Sequence, residues 1–312
     1  MKKRTARIFT HELCQEVDGV IDQLRLRDVA VERVNLCQFP GKLRLALDDT
    51  IGSECRGEMA GWIHDSACFS FERHLTGLAR EVALEECNAF TEGLLLRQHC
   101  NWLNDPRAIQ IASNKPYQLR LAAQLNIPIP PYVITNDVRA LKLFQQKHGA
   151  VVVKTLSAAF IQYGNKALKF YTRRAEALGD GVLAGLSFAP VIAQKEILRT
   201  HEVRVTVVDS RCFSVAVDCR HLPQGIVDVR QLDYRAQKDR FSPLRRLPKI
   251  ESWSRTFVAA LGLNYAGLDW AVTEEGKAFL FEANPLASFK WFEMVGAGDI
   301  TKAITAALLR RT

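Results

Sequence analysis

Residues 267–284, GLDWAVTEEGKAFLFEAN, limit the possible folds of this chain more than any other stretch. Two β-rich runs flank Thr-Glu-Glu-Gly, a composition that reads as a hairpin turn. With Glu274 to Lys277 as the loop, Thr273 pairs with Ala278, Trp270 faces Phe281 and Asp269 faces Glu282. Side chains alternate along a strand, so one face carries Leu268, Trp270, Val272, Phe279, Phe281 and Ala283. The other carries Asp269, Glu282 and Asn284. A one-residue slip would set Asp269 against Phe281 and spoil both faces, so the pattern selects its own pairing.

Like charges directly opposite on a ladder destabilise it. Two acids placed this way, with an amide beside them, suit a cation between them, and an all-oxygen ligand set suits Mg²⁺ sharing its shell with water and phosphate oxygens. The same pattern also fits a solvated acidic face, and the hairpin alone does not choose.

The first hundred residues read as a small α/β unit. ARIFT is a short strand, and residues 13–26 carry Val17, Val20, Ile21 and Leu24 at helical spacing. VERVNLCQF and KLRLALDD alternate as strands around the turn signal Pro40-Gly41, and a proline-free helix is expected over 71–98. Asp105 before Pro106, and Asn114 ahead of Pro116, mark helix starts, which places a boundary near residue 107. Strands VVVKT, ALKFYT, VIAQKEI, EVRVTVV and FSVAVD follow, then a basic stretch over 219–249, the helix WSRTFVAALGL, the hairpin, and a closing helix from about 299.

Lys154 ends VVVK, where a lysine at the sheet edge can meet a phosphate as a point charge or simply snorkel to water. Glu202, Arg204 and Thr206 share one face of EVRVTVV, opposite Val203, Val205 and Val207. Glu202 and Arg204 could hold a ribose hydroxyl and a phosphate, or form a surface ion pair. No G-x-x-x-x-G-K-[ST] loop, G-x-G-x-x-G fingerprint, H-E-x-x-H or G-x-S-x-G occurs, which argues against P-loop kinases, dinucleotide dehydrogenases, zincins and elbow hydrolases.

The 312 residues are 48% hydrophobic and 24% charged, enough for two or three packed units of a globular protein. The net charge of +8 favours an anionic partner without choosing among nucleic acid, nucleotide and acidic peptide. Eight scattered cysteines without a C-x-x-C pair read as reduced thiols, and no apolar run reaches bilayer length. A cytoplasmic location is the expectation.

In chain order, NDPRAIQIASNKPYQLRLAAQLNIPIPPYVIT, VVVKT, AQKEILRTHEVRVTVV, DVR and GLDWAVTEEGKAFLFEANP resemble the successive RimK-type motifs of the ATP-grasp superfamily. The resemblance runs from about residue 100 to the last residue and is nearest to the microviridin or graspetide ligases, which cyclise ribosomal peptides. It implies an α/β (α+β) fold in three parts: an N-terminal α/β domain (1–107), a central lid (108–195) and a C-terminal antiparallel-sheet domain with the Mg²⁺ site (196–312).

By motif position, Lys115 and Lys154 would hold phosphates of ATP, Gln194, Lys195 and Ile197 the adenine, and Glu202 the ribose. Arg204 and Arg230 would neutralise the γ-phosphate and the forming acyl phosphate, while Asp269, Glu282 and Asn284 would bind Mg²⁺. The implied activity is ADP-forming ligation of a carboxylate to an amine or hydroxyl, joining Asp or Glu side chains of an acidic precursor peptide, leader plus core, to its Lys, Ser or Thr. The alternatives are a RimK-like addition of an amino acid to a peptide or small acid, and a noncatalytic basic nucleic-acid-binding module. The acidic pair argues against the last. Neither a membrane nor nucleic acid is an expected partner, and a homodimer is admitted.

Overall fold

The computed structural model describes residues 4–47, 59–64, 75–157, 160–163, 166–178, 180–223, 225–244 and 247–312, with Phe69 and Phe71. The chain begins with β1 (Thr5–Thr10), α1 (Gln15–Arg25), β2 (Ala30–Asn35), β3 (Met59–Ile63), α2 (Gly77–Arg97) and β4 (Asn101–Trp102). These strands form a parallel sheet ordered β2-β1-β3-β4. Helix α1 buries Val17, Val20, Ile21 and Leu24, the stripe its spacing requires.

Two expected strands differ. VERVNLCQF is strand only to Asn35 and then turns once as a 3₁₀ helix over Leu36–Gln38. Residues 43–47 of KLRLALDD form no strand, and residues 48–49 lie outside the described residues. Leu45 and Leu47 pack on the core as irregular chain instead. The helix expected over 71–98 begins at Gly77, with residues 72–74 outside the described residues.

Helices α3 (Pro106–Ala112) and α4 (Lys115–Gln124) start where the sequence signals them. The Asp105 carboxylate accepts the Arg107 N–H and the Asn114 side chain accepts that of Tyr117. Their residues Ile109, Ala112 and Ala122 share a core with Val203, Leu268 and Trp270 far along the chain. Next come β5 (Tyr132–Thr135), α5 (Val138–His148), β6 (Val151–Lys154), β7 (Phe160–Tyr163), β8 (Lys166–Lys169), β9 (Arg173–Arg174), α6 (Asp180–Gly185) and β10 (Val191–Lys195). Strands β5-β10-β6-β9 form an antiparallel sheet around a separate small core of Leu141, Val151, Val153 and Ala193, and β7 pairs with β8.

The remaining elements are β11 (His201–Val208), β12 (Arg211–Asp218), β13 (Phe241–Pro243), α7 (Pro248–Ala260), β14 (Tyr265–Val272), β15 (Ala278–Asn284), α8 (Lys290–Phe292) and α9 (Ile300–Leu309). They build a five-stranded antiparallel sheet ordered β13-β12-β11-β14-β15. Val203, Val205 and Val207 of β11 are buried on the side that meets Phe257 and Val258 of α7.

Asp269 pairs with Glu282, as the hairpin pattern demands, but Trp270 pairs with Leu280 rather than Phe281. The register shifts between Asp269 and Trp270, leaving Phe281 as the extra residue of a β-bulge. Leu280 therefore takes the core position expected for Phe281, at 2% exposure. Phe281 turns to the opposite side. Among the described residues no helix is long and apolar enough to cross a membrane, and the described cysteines, at positions 14, 37, 87, 100, 212 and 219, are free thiols.

Candidate functional site

A cleft opens between the β5-β10-β6-β9 sheet and the five-stranded sheet. Lys154, Gln194, Lys195 and Ile197 line it from one side, and Glu202, Arg204, Asp269 and Glu282 from the other. Arg230 reaches in from the loop after β12. Lys115 and Asn284 line an adjoining recess that shares Lys154, Arg230 and Glu282 with the cleft. All the residues singled out from the sequence thus converge, although they span nearly 170 positions of the chain.

The strand ladders explain the convergence. Asp269 lies between Arg204 on β11 and Glu282 on β15 in direct cross-strand register. Arg204 Nε stands 3.0 Å from the Asp269 carboxylate, and Lys115 Nζ 3.6 Å from that of Glu282. Each acid therefore has a protein cation of its own. Arg204 and Lys115 thus already offset part of the repulsion between the two acids.

The two carboxylates are nonetheless inequivalent. Burial raises the pKa of Asp269 against the pull of Arg204. Burial also acts on Glu282, but Lys115, Lys154, Arg230 and Arg204 together hold it below the usual carboxylate range. Burial lowers that of Lys154, whose Nζ donates to the Phe281 carbonyl at 3.3 Å and so ties β6 to the bulge.

Arg204 has donors that no protein acceptor satisfies. Its Nε and Nη1 are buried without a hydrogen-bond partner, so the contact with Asp269 is ionic rather than directional. The guanidinium lies 5.1 Å over the Phe292 ring and packs on Gly267. Unpaired buried donors of this kind are rare and expensive unless a ligand satisfies them. Gln194 is also buried, with its amide nitrogen unpartnered. These orphaned donors fit the phosphate and base of a nucleotide, and the oxygen-only set of Asp269, Glu282 and Asn284 fits Mg²⁺. Asn284 is exposed at the rim, and its side-chain oxygen accepts the Leu286 N–H at 3.0 Å.

Several cleft residues were not singled out from the sequence. Arg199 reaches back from the loop before β11 to Glu202. Asp228 is buried and grips Arg230 through two side-chain hydrogen bonds of 2.9 and 2.6 Å, while also accepting the Thr172 N–H. The signal for Asp228 was present: in Asp-x-Arg the acid can accept the N–H two residues on, as it does here at 3.0 Å. Phe281 and Tyr234 enter through the bulge and through a loop with no periodic pattern.

The basic stretch is only partly available to a ligand. Arg240 is spent on the carbonyls of Asp218, Arg220 and His221, whereas Arg230 is held by Asp228 through Nε and Nη2 and still lines the cleft. Arg235 and Lys238 are exposed, and Arg245 and Arg246 lie outside the described residues.

Solved structures share this arrangement of elements. A ligase of the ATP-grasp type associated with ribosomal peptide modification, from Chryseobacterium gregarium and solved with ADP and a leader and core peptide, matches with a TM-score of 0.83. Its identity is 20%, over 99% of this chain and 97% of that one. The macrocyclase MdnC of Microcystis aeruginosa MRC, bound to the precursor peptide MdnA, matches at 0.81 with 22% identity over 98% and 99% of the two chains. D-cycloserine synthetase is more distant, at 0.60 and 16% over 97% and 99%. No sequence model of a known family and no curated protein matches the chain. The chain has the fold of the ATP-grasp ligases, in agreement with the motif order.

Proposed function

We propose that this chain is an ATP-dependent carboxylate ligase that modifies a peptide, linking Asp or Glu side chains to Lys, Ser or Thr of an acidic precursor. The observation that carries the reading is the cross-strand set Arg204–Asp269–Glu282, with buried unpartnered nitrogens on Arg204, in the cleft that Lys154, Gln194 and Lys195 also line. The matching folds solved with ADP and with precursor peptides support it.

In this reading Gln194, Lys195 and Ile197 take the adenine, Glu202 the ribose, and Lys115 and Lys154 the phosphates. Asp269, Glu282 and Asn284 hold Mg²⁺, which when bound draws charge from the phosphate oxygens. A substrate carboxylate oxygen attacks the γ-phosphorus and the bond to the bridging oxygen of ADP breaks. Anion repulsion is the main barrier, so Arg204 and Arg230 act by neutralising charge and aligning the reactants. An amine or hydroxyl then attacks the acyl carbon and phosphate leaves. The result is an amide or ester.

The test is mass spectrometry of an Asp/Glu-rich peptide bearing Lys, Ser and Thr, incubated with enzyme, ATP and Mg²⁺. Loss of one water per link with matching ADP release is the expected result. ADP release with gain of an amino-acid residue would support the second reading, intermolecular addition. No nucleotide binding at all would end both and return the basic module to consideration.

A further inference from the structure

The segment between β10 and β11 turns Arg199 back beneath the cleft, where its side chain is only 8% exposed. Its Nε donates to Glu202 Oε1 at 2.7 Å, its Nη2 lies 2.6 Å from the same oxygen, and Nη2 also donates to the Val227 carbonyl at 2.7 Å. The guanidinium stands 5.8 Å from the Phe281 ring centre. One side chain therefore joins β11, the loop leading to Asp228 and Arg230, and the β15 bulge.

We infer that Arg199 is the specificity-determining residue for the nucleotide sugar: by engaging one oxygen of Glu202 it aims the other at a ribose hydroxyl. The inference rests on the nucleotide reading of the cleft.

The chemistry behind it is direct. Glu202 is largely buried, its side chain 14% exposed, and a carboxylate in that setting tends to take up a proton. A protonated acid is a poorer acceptor, and an unanchored glutamate samples several rotamers. Arg199 opposes both tendencies. Both of its contacts fall on Oε1, and Oε2 has no protein partner among the described residues, which leaves one acceptor lone-pair set for the sugar. Arginine suits this task because its rigid fork brings two nitrogens to the one oxygen Oε1 while Nη2 also donates to the Val227 carbonyl. A lysine would supply charge without that orientation.

The test needs no peptide. Binding of ADP, 2′-deoxy-ADP and 3′-deoxy-ADP, each with Mg²⁺, is measured by calorimetry on the wild type, Arg199→Gln and Arg199→Lys. A hydrogen bond to a charged group predicts that the wild type favours ADP over at least one deoxy analogue by roughly tenfold to a hundredfold. In Arg199→Gln that ratio falls to within about threefold, and Arg199→Lys recovers it in part. The ratio of ADP to inosine diphosphate, which reads the base and not the sugar, stays at its wild-type value.

A purely structural role would weaken all nucleotides alike and leave the sugar ratio intact; that result overturns the inference. So does a wild type indifferent to both deoxy analogues, or a base ratio that collapses together with the sugar ratio. If Arg199→Gln does not fold, the Arg199→Lys ratio decides: unchanged, it refutes. A wild type that binds no ADP defeats the nucleotide reading itself, a separate outcome from any of these.

Discussion

Adding a single methyl group at Gly267 should disable the proposed ligase activity by a route the geometry specifies. A Cβ there would overlap the Arg204 guanidinium and sit 2.5 Å from Ala287 Cβ. Ordinary contact begins near 3.4 Å, so each neighbour must retreat by about 1 Å, a misplacement that at a reacting centre is worth roughly 10²-fold. Loss of one charge-stabilising donor gives a similar figure, about 10²–10³ in kcat, or about 2.7–4 kcal/mol of barrier. Ala287 cannot swing aside as an arginine can, so Gly267→Ala should also lose about 1–3 kcal/mol of stability through overpacking. The two effects separate in the double variant Gly267→Ala/Ala287→Gly. Stability recovers in part because the methyl–methyl overlap is gone, while activity stays low because Arg204 is still displaced. Coupled ADP-release assays with an acidic peptide and urea denaturation read the two quantities. Turnover of Gly267→Ala within threefold of wild type would refute the placement of Arg204 at the transferring phosphate.

Glu282→Gln should abolish ADP formation, to at least 10²-fold below wild type, with circular dichroism unchanged; retained turnover counts against the Mg²⁺ assignment. Burial, opposed by Arg199, raises the Glu202 pKa to about 7, so ATP should bind more weakly as the pH falls through 7 and the acceptor is lost. The same raised value means the folded state holds this proton more tightly, so the contribution of Glu202 to stability declines as pH rises from about 4.5 to 7. A KM for ATP that is flat between pH 6 and 8 would contradict the ribose role. Trp270→Ala, which removes a fully buried indole and its 3.1 Å hydrogen bond to Ser254, should destabilise by about 3–5 kcal/mol in denaturation.

Much of the site was legible because it is written in short-range periodicity. The face shared by Glu202 and Arg204, and the pairing of Asp269 with Glu282, follow from alternation and from the need to bury Leu268 and Trp270. The helix starts at Asp105 and Asn114 were equally local, since each cap is a hydrogen bond two or three residues long. Over residues 43–47 the expected strand is absent for a matching reason: alternation registers which residues seek burial, and Leu45 and Leu47 do pack inward, but it does not say whether a neighbouring strand is there to pair with.

Local pattern therefore determined which residues face together on one element and in what order the elements come. Tertiary packing decided what crosses between elements. The bulge that sends Phe281 into the cleft places Leu280 in the core, with Lys154 held against the Phe281 carbonyl. Asp228 meets the distant Thr172 only after the sheets close, and Arg199 reaches the Val227 carbonyl only because its loop folds back. Such contacts are set by volume and by the satisfaction of buried charge in three dimensions, quantities that no spacing along the chain records.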